Sequence, residues 1–420
     1  MHLLALNVPD LFIPLWRGTF DCDKTDDRTT WTWAVLKGAV WEAHGRDVAA
    51  ATPYLPGSFD RPPRNPAEKI SSGYKAWEFL LYFYGLGPGV FYNVLPTIYY
   101  RHFCKLILAV RIINQHKIRV NDLKRAHQAL VEFAHEFEVL YYQRRTDRLH
   151  FVRQSIHALI HLAEEALRLG PLICTSQWTM EHTIGSLGME IRCHVNPYAN
   201  LSQRALQRCQ VLQVVADNSI PRGAKDLGDG YILLRARDRT ARQMDVAESQ
   251  ALQRYLHSTH NKDFPEGWAP KVLRWARLRL PNGQVARSAW KEKLKPLEKV
   301  RMAQNVLIKT SGDATDTFGE VLYYFCLELQ DTSEQTLAMV SLYSPPNPDL
   351  LKATFNTLRS CTAGDSVKVI EVKHISAVMI AMVPHQPFGA ESEQRYFVVE
   401  KPGLEVAELA GQEEEVPADE

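Results

Sequence analysis

The sequence predicts an α+β protein: a mainly α-helical N-terminal region (1–222), a basic connector (223–302), a small C-terminal β-barrel (303–405) and a disordered acidic tail (406–420). Three observations predict it. Apolar residues recur at helical spacing through the first half. Basic residues concentrate between 271 and 301. Short apolar runs punctuated by turn residues take over after 305. A chain of 420 residues, 45% hydrophobic and 23% charged, fits about two to three globular domains with a real core.

The helical region reads as follows. A short helix over 1–18 ends near Pro14 to Gly18, and a polar loop covers 19–30. Trp33, Val35, Leu36, Val40 and Trp41 place a helix over 31–51. Five prolines between 52 and 67 force an extended loop. Helices follow over 68–84, 91–115, 120–142, 148–169, 174–192 and 201–217, with Asn121 and Asp122 as capping residues for the third of these. The stretch 76–100 carries one charge, Glu78, in 25 residues, which is long enough to span a bilayer. Gly85, Gly87, Pro88, Gly89 and Pro96 break it, so it reads as two short buried helices and no membrane contact is expected.

Past Gly223 the pattern changes to a turn, a short strand, a basic stretch and a helix over 246–256. Apolar runs at 305–309, 319–329, 336–343, 367–372, 375–383 and 395–400 then read as six strands, with a brief helix at 349–358. The last ten residues, GQEEEVPADE, are too acidic and too poor in apolar residues to fold. Seven scattered cysteines without a C-x-x-C pair argue against a disulfide framework and a Cys-rich zinc site, and favour a reducing compartment.

Net charge is +1, so any nucleic-acid surface has to be local. Residues 271–301 supply one: ten Lys or Arg against Glu292 and Glu298 give 10 − 2 = +8, with Trp275 and Trp290 interleaved. The candidate DNA contacts are Lys271, Arg274, Arg277, Arg279, Arg287, Lys291, Lys293 and Lys295, joined by Arg235, Arg237, Arg239 and Arg242 upstream. The plain alternative is a solvated interdomain linker. His157 and His161 lie four residues apart and can share a helix face with Glu164, but no H-E-x-x-H pattern or fourth ligand accompanies them. That segment reads as a core-edge helix. Tyr323, Tyr324, Phe325, Tyr343, Tyr396 and Phe397 could line a peptide cage, although alternate strand positions more often point inward.

The block 140–210, containing RRTDRLHFVRQSIHALIHLAEEALRLGPLICTSQWTMEHTIGSLGMEIRCHVNPYANLSQRALQRCQ, resembles the transposases of CACTA-type DNA transposons in mushroom-forming fungi. So do LPGSFDRPPRNPAEKISSGYKAWEFLLYFYGLGPG upstream and the stretch from LAMVSLYSPP to YFVVEKPGLEV. The resemblance covers nearly the whole chain. It implies an RNase-H-like core with a DDE carboxylate triad, interrupted by a helical insertion that makes up most of the helical region here. The implied chemistry is Mg²⁺-assisted cleavage and strand transfer at the transposon ends, in the nucleus, with an oligomer allowed. The third carboxylate of the family falls in Trp178-Thr179-Met180-Glu181-His182, which makes Glu181 the catalytic and metal-binding candidate, with His182 where the family commonly has Arg. A family motif of Asp, an apolar residue and Met-His would put its Asp just before Met1-His2. The chain is therefore expected to be the C-terminal part of such an enzyme, inactive as given. Asp10, Asp21, Asp23, Asp26 and Asp27 are the only nearby stand-ins, and they fall in or beside a loop. The barrel is similar in strand order to bromo-adjacent-homology domains, which implies a chromatin or peptide partner. The alternative function is a non-enzymatic DNA- or chromatin-binding protein that retains the insertion and barrel.

Overall fold

A computed structural model describes residues 2–59, 62–177, 195–216, 220–265, 267–296, 302–309, 317–329, 332–364, 366–378, 380–389 and 392–400, with residues 180, 184, 191 and 300 singly. The chain is α+β, with helices first and antiparallel sheets after. Among the described residues no strand precedes Lys225.

The helical body is built around aromatic rings. A π turn (Leu3–Asn7) runs into α1 (Val8–Arg17), which buries Val8, Leu11, Phe12, Leu15 and Trp16 and stops at Gly18, φ 67°. Trp16 stacks on Phe83 at 5.6 Å and donates its indole N–H to Tyr141 Oη at 3.0 Å. The expected helix over 31–51 begins only at Gly38 as α2 (Gly38–Ala50). Trp31, Trp33 and Leu36 are buried from a loop instead, held by the Leu36 N–H donating to the Trp16 carbonyl at 2.8 Å. Their spacing satisfied a helical pattern that the loop meets equally well. α3 (Thr97–Ile113) and α4 (Val120–Phe137) pack along each other. At their seam the His102 ring stacks on Phe133 at 4.1 Å and its Nε2–H donates to the Phe133 carbonyl at 2.9 Å. α5 (Gln154–Ile160) and α6 (Leu162–Leu169) replace the single helix expected over 148–169. α7 (Pro197–Ala216) follows. No described helix is long and apolar enough to cross a membrane. Glu78, the lone charge of the apolar stretch, is fully buried and takes a bidentate grip from Arg64, 2.7 Å to each oxygen.

The five early aspartates are occupied structurally. Asp26 is buried against Arg148, Asp10 pairs with Arg153 at 2.8 Å, and Asp23 and Asp27 accept from Thr25 and Thr29 in their own turns. Asp21 Oδ1 accepts from the Cys22 N–H at 3.1 Å.

The remaining chain does not close into a barrel. Strands β1 (Lys225–Asp226), β2 (Ile232–Arg237), β5 (Trp275–Arg279), β8 (Thr317–Leu329), β7 (Asn305–Ile308) and β12 (Ile375–Ala377) run side by side in that order. β6 (Val285–Arg287) pairs with β5, and β9 (Thr332–Leu342) pairs with both β8 and β11 (Val367–Glu371). The stretch 223–302, expected as a connector, thus lends four strands to the large antiparallel sheet. β3 (Arg242–Gln243) and β4 (Lys271–Val272) form their own pair. α8 (Val246–His260), started by a reciprocal Asp245–Glu248 capping box, covers Leu337, Met339 and Phe325 of the sheet.

Closure fails because the last strands leave the sheet. β10 (Ser360–Thr362), β14 (Arg395–Glu400) and β13 (Ile380–His385) form a separate three-stranded sheet. Its two faces follow the period of two. Ala381, Val383, Phe397 and Val399 enter the core of the helical body. Ile380, Met382 and Val398 pack on Leu307, Phe318 and Ala377 of the large sheet. The small sheet therefore lies between the other two parts. The aromatic residues considered for a peptide cage are mostly core: Tyr323, Tyr324, Phe325 and Phe397 are buried, and the half-buried Tyr343 donates to Asn305 Oδ1 at 3.0 Å.

Candidate nucleic-acid interface

β5 and β6 form a hairpin whose register sets Arg277 directly opposite Arg287. Directly opposed residues share a face, and like charges there repel. Both arginines are nonetheless buried, at 5% and 3% exposure. Such a pair needs a counter-charge. The helical turn Ala289–Glu292 follows directly after β6 and brings Glu292 back under the pair, with Oε1 3.5 Å from Arg287 Nη1. Lys295 Nζ reaches the same oxygen at 3.4 Å.

A cleft of about 270 Å³ is lined by Ala236, Ala276, Arg277, Arg287, Lys291, Glu292, Leu294 and Lys295. Its lining carries four basic side chains and one acidic one, in a chain whose total charge is +1. The two alanines leave room beside the guanidinium groups, and the cleft opens to solvent past Leu294, which is 72% exposed. Planar guanidinium groups recognise phosphate oxygens in a bidentate fashion, and the lysines add mobile point charges. The arrangement suits an anion of phosphate size and charge.

The structure sorts the other basic candidates. Arg274 is tied down: its Nε donates to Asp238 Oδ2 at 2.8 Å, and its guanidinium lies 4.2 Å from the Trp290 ring. Lys291 Nζ sits 4.5 Å from the same ring, so Trp290 is flanked by cations. Trp275 is a core residue with Arg237 over it at 5.4 Å. Arg242 is held by Glu248 at 2.6 Å. Arg235, Arg237 and Arg239 are exposed on and after β2, Lys271 is exposed on β4, and Arg279 is half-buried on β5. Lys293 is exposed and lies 3.5 Å from Glu320. The cleft thus gathers Arg277, Arg287, Lys291 and Lys295 out of the longer basic run. Glu292 entered the sequence reading only as a subtraction from the local charge; its role as the buried counter-ion depends on the hairpin register.

Glu181, the catalytic and Mg²⁺ candidate, lies outside the described residues. Among the described residues no three His, Cys, Asp or Glu side chains cluster as a metal site. No protein-family model, curated protein or solved structure matches this chain. The functional reading therefore starts from the cleft.

Proposed function

We propose that this chain is a transposase-derived DNA-binding protein that holds the phosphate backbone at the Arg277–Arg287 cleft. The observation that supports the binding is the gathering of Arg277, Arg287, Lys291 and Lys295 along one cleft in a chain whose net charge is +1. Phosphate contacts of this kind supply affinity without sequence information. The transposase origin rests on the matched strings described above. On that origin the helical body corresponds to the insertion of an RNase-H-like catalytic domain, the protein works in the nucleus, and Glu181 with Mg²⁺ belongs to the cleavage chemistry.

The test is duplex-DNA binding by the whole chain, followed by fluorescence anisotropy across a salt series. Lys291 and Lys295 are the variants of choice because both are part-exposed and their loss spares the buried arginines. Lys291→Ala with Lys295→Ala removes two phosphate contacts, so the slope of log K against log salt should flatten by about 1.8. Replacing the exposed Lys69 and Lys124 of the helical body by Ala should leave the slope unchanged. An unchanged slope in the Lys291/Lys295 variant, or no binding even at low salt, would overturn the proposal.

A further inference from the structure

A pair of metal-ligating side chains lies away from the binding cleft. His157 lies on α5 and His161 at the break between α5 and α6, and both side chains point to solvent. Their Nε2 atoms are 3.1 Å apart, with ring centroids at 4.8 Å and planes at 75°. Two imidazoles meeting nitrogen to nitrogen can share only one proton between them, so at least one lone pair faces the other ring. A metal ion replaces that proton naturally. With metal–nitrogen bonds of about 2.0–2.1 Å, two cis ligands stand about 2.9 Å apart at a right angle and about 3.3 Å apart at a tetrahedral angle. The observed separation falls between these two values.

The backbone holds the pair in place. His161 N–H donates to the Ala158 carbonyl at 3.3 Å, and the His161 carbonyl accepts from Glu165 N–H at 2.9 Å. Ile156, Leu159 and Ala163 are buried on either side, so both turns are fixed to the helical body. Glu165 is engaged by Arg168 at 3.2 Å, and no third His, Cys, Asp or Glu joins the pair among the described residues. Two nitrogen donors with the other positions left to water suit a borderline divalent transition metal, and hard Mg²⁺ poorly.

We infer that His157 and His161 form a surface chelate for a divalent transition metal, with Cu²⁺ bound most tightly and Zn²⁺ and Ni²⁺ more weakly. Water completes the coordination. In the neutral pair the shared proton moves to Nδ1 of its own ring, by way of water, which frees both Nε2 lone pairs for the ion; an extra proton on the pair is released to solvent. This site is separate from the DNA cleft and does not depend on it.

The experiment titrates the full chain with Cu²⁺ by calorimetry and records the electron paramagnetic resonance spectrum of the one-equivalent complex. Cys174 Sγ and His116 Nδ1 lie 3.6 Å apart and form a rival donor pair, so every variant carries Cys174→Ser. His157→Gln or His161→Gln should each weaken the tightest Cu²⁺ site at least about tenfold, because the second donor acts at high effective concentration. The parent spectrum should carry the hyperfine pattern of two nitrogens, and each variant that of one. His161→Arg provides a second removal of the donor in case Gln disturbs the helix break. Thermal unfolding in EDTA, expected to be unchanged, checks the fold. Unaltered affinity in the His161 variants, or a one-nitrogen spectrum in the parent, would overturn the inference.

Discussion

Asp26 and Arg148 give the helical body its most demanding contact, and replacing Asp26 by Asn tests it. Both side chains are essentially inaccessible to solvent, at 0% and 1% exposure. Arg148 Nε donates to Asp26 Oδ2 at 2.9 Å and Nη2 donates to Oδ1 at 2.7 Å. The Trp31 indole N–H also donates to Oδ2, at 3.0 Å. Oδ2 therefore accepts two hydrogen bonds and Oδ1 one. Asn has the same shape but carries one oxygen and one NH₂. Whichever way it turns, an NH₂ group meets an N–H, and the guanidinium loses its counter-charge. Arg145 Nη2, 3.5 Å from Oδ1, is another cation and cannot help. Breaking a buried pair from one side costs about 3–5 kcal/mol. Arg148 keeps Gln143 Oε1 at 2.5 Å and the face of Trp33 at 5.1 Å, which argues for the low end. Three kcal/mol corresponds to a fall in Tm of roughly 6–12 °C for a body of this size. Urea unfolding followed by tryptophan fluorescence reads the loss directly. Arg148→Met alone should cost a similar amount, and Asp26→Asn with Arg148→Met should cost well below the sum. If Asp26→Asn costs less than about 1 kcal/mol, or the two changes add within about 0.5 kcal/mol, the pair is not coupled as argued.

Three further outcomes follow from packing and charge. Burial lowers the His44 pKa to about 4 and the His102 pKa to about 3, against 6.5 when unfolded. Each ring is neutral in the fold, so its contribution is complete above pH 6.5 and is lost as pH falls toward the folded value; at pH 5 each should cost about 2 kcal/mol, seen as a drop in urea midpoint that His102→Phe reduces. A Cβ at Gly89 would stand 2.4–2.6 Å from three atoms of the Phe397 ring, so Gly89→Ala should destabilise by about 1–3 kcal/mol, and Phe397→Leu should rescue it in thermal melts. Arg274→Ala should lower the melting temperature through loss of Asp238 and Trp290 yet leave the DNA salt slope unchanged; a flattened slope would place Arg274 on the DNA.

The long helices α3 and α4 were legible because burial imposes a period near 3.6 on the sequence, and α4, with Leu123, Ala126, Leu130, Phe133 and Phe137 inward, shows it plainly. Helix ends were less legible. α3 begins at Thr97, behind Pro96, six residues after the expected start, and Trp31 and Trp33 reach the core without helix. The middle was misread for a physical reason. β5 reads Trp-Ala-Arg-Leu-Arg, and buried arginines make a strand look like a solvated charge run. Its partners β2 and β8 lie far away in the chain, and no local pattern records them. The same blindness to register hid the Arg277–Arg287 pairing and the use of Glu292. The four basic residues of the cleft were all within the basic run, but which four would meet was decided by a hairpin and a single helical turn.

The small sheet lodged between the helices and the large sheet also governs the order of assembly. The helical body is made first on the ribosome, yet its core contains Ala381, Val383, Phe397 and Val399. Until those residues emerge, the surface around Gly85 and Gly89 has no cover, although the α1, α3 and α4 interior can already form. The residues from 225 to 377, which supply the large sheet, must be synthesised before the last strand returns. During that interval the nascent chain carries an open apolar groove of the kind that chaperones occupy and that neighbouring nascent chains can fill. Vectorial synthesis thus makes β14 the final fastener of a core begun at residue 3. Premature termination between 261 and 397 would yield a polypeptide in which most helices are present and the finished body is not sealed.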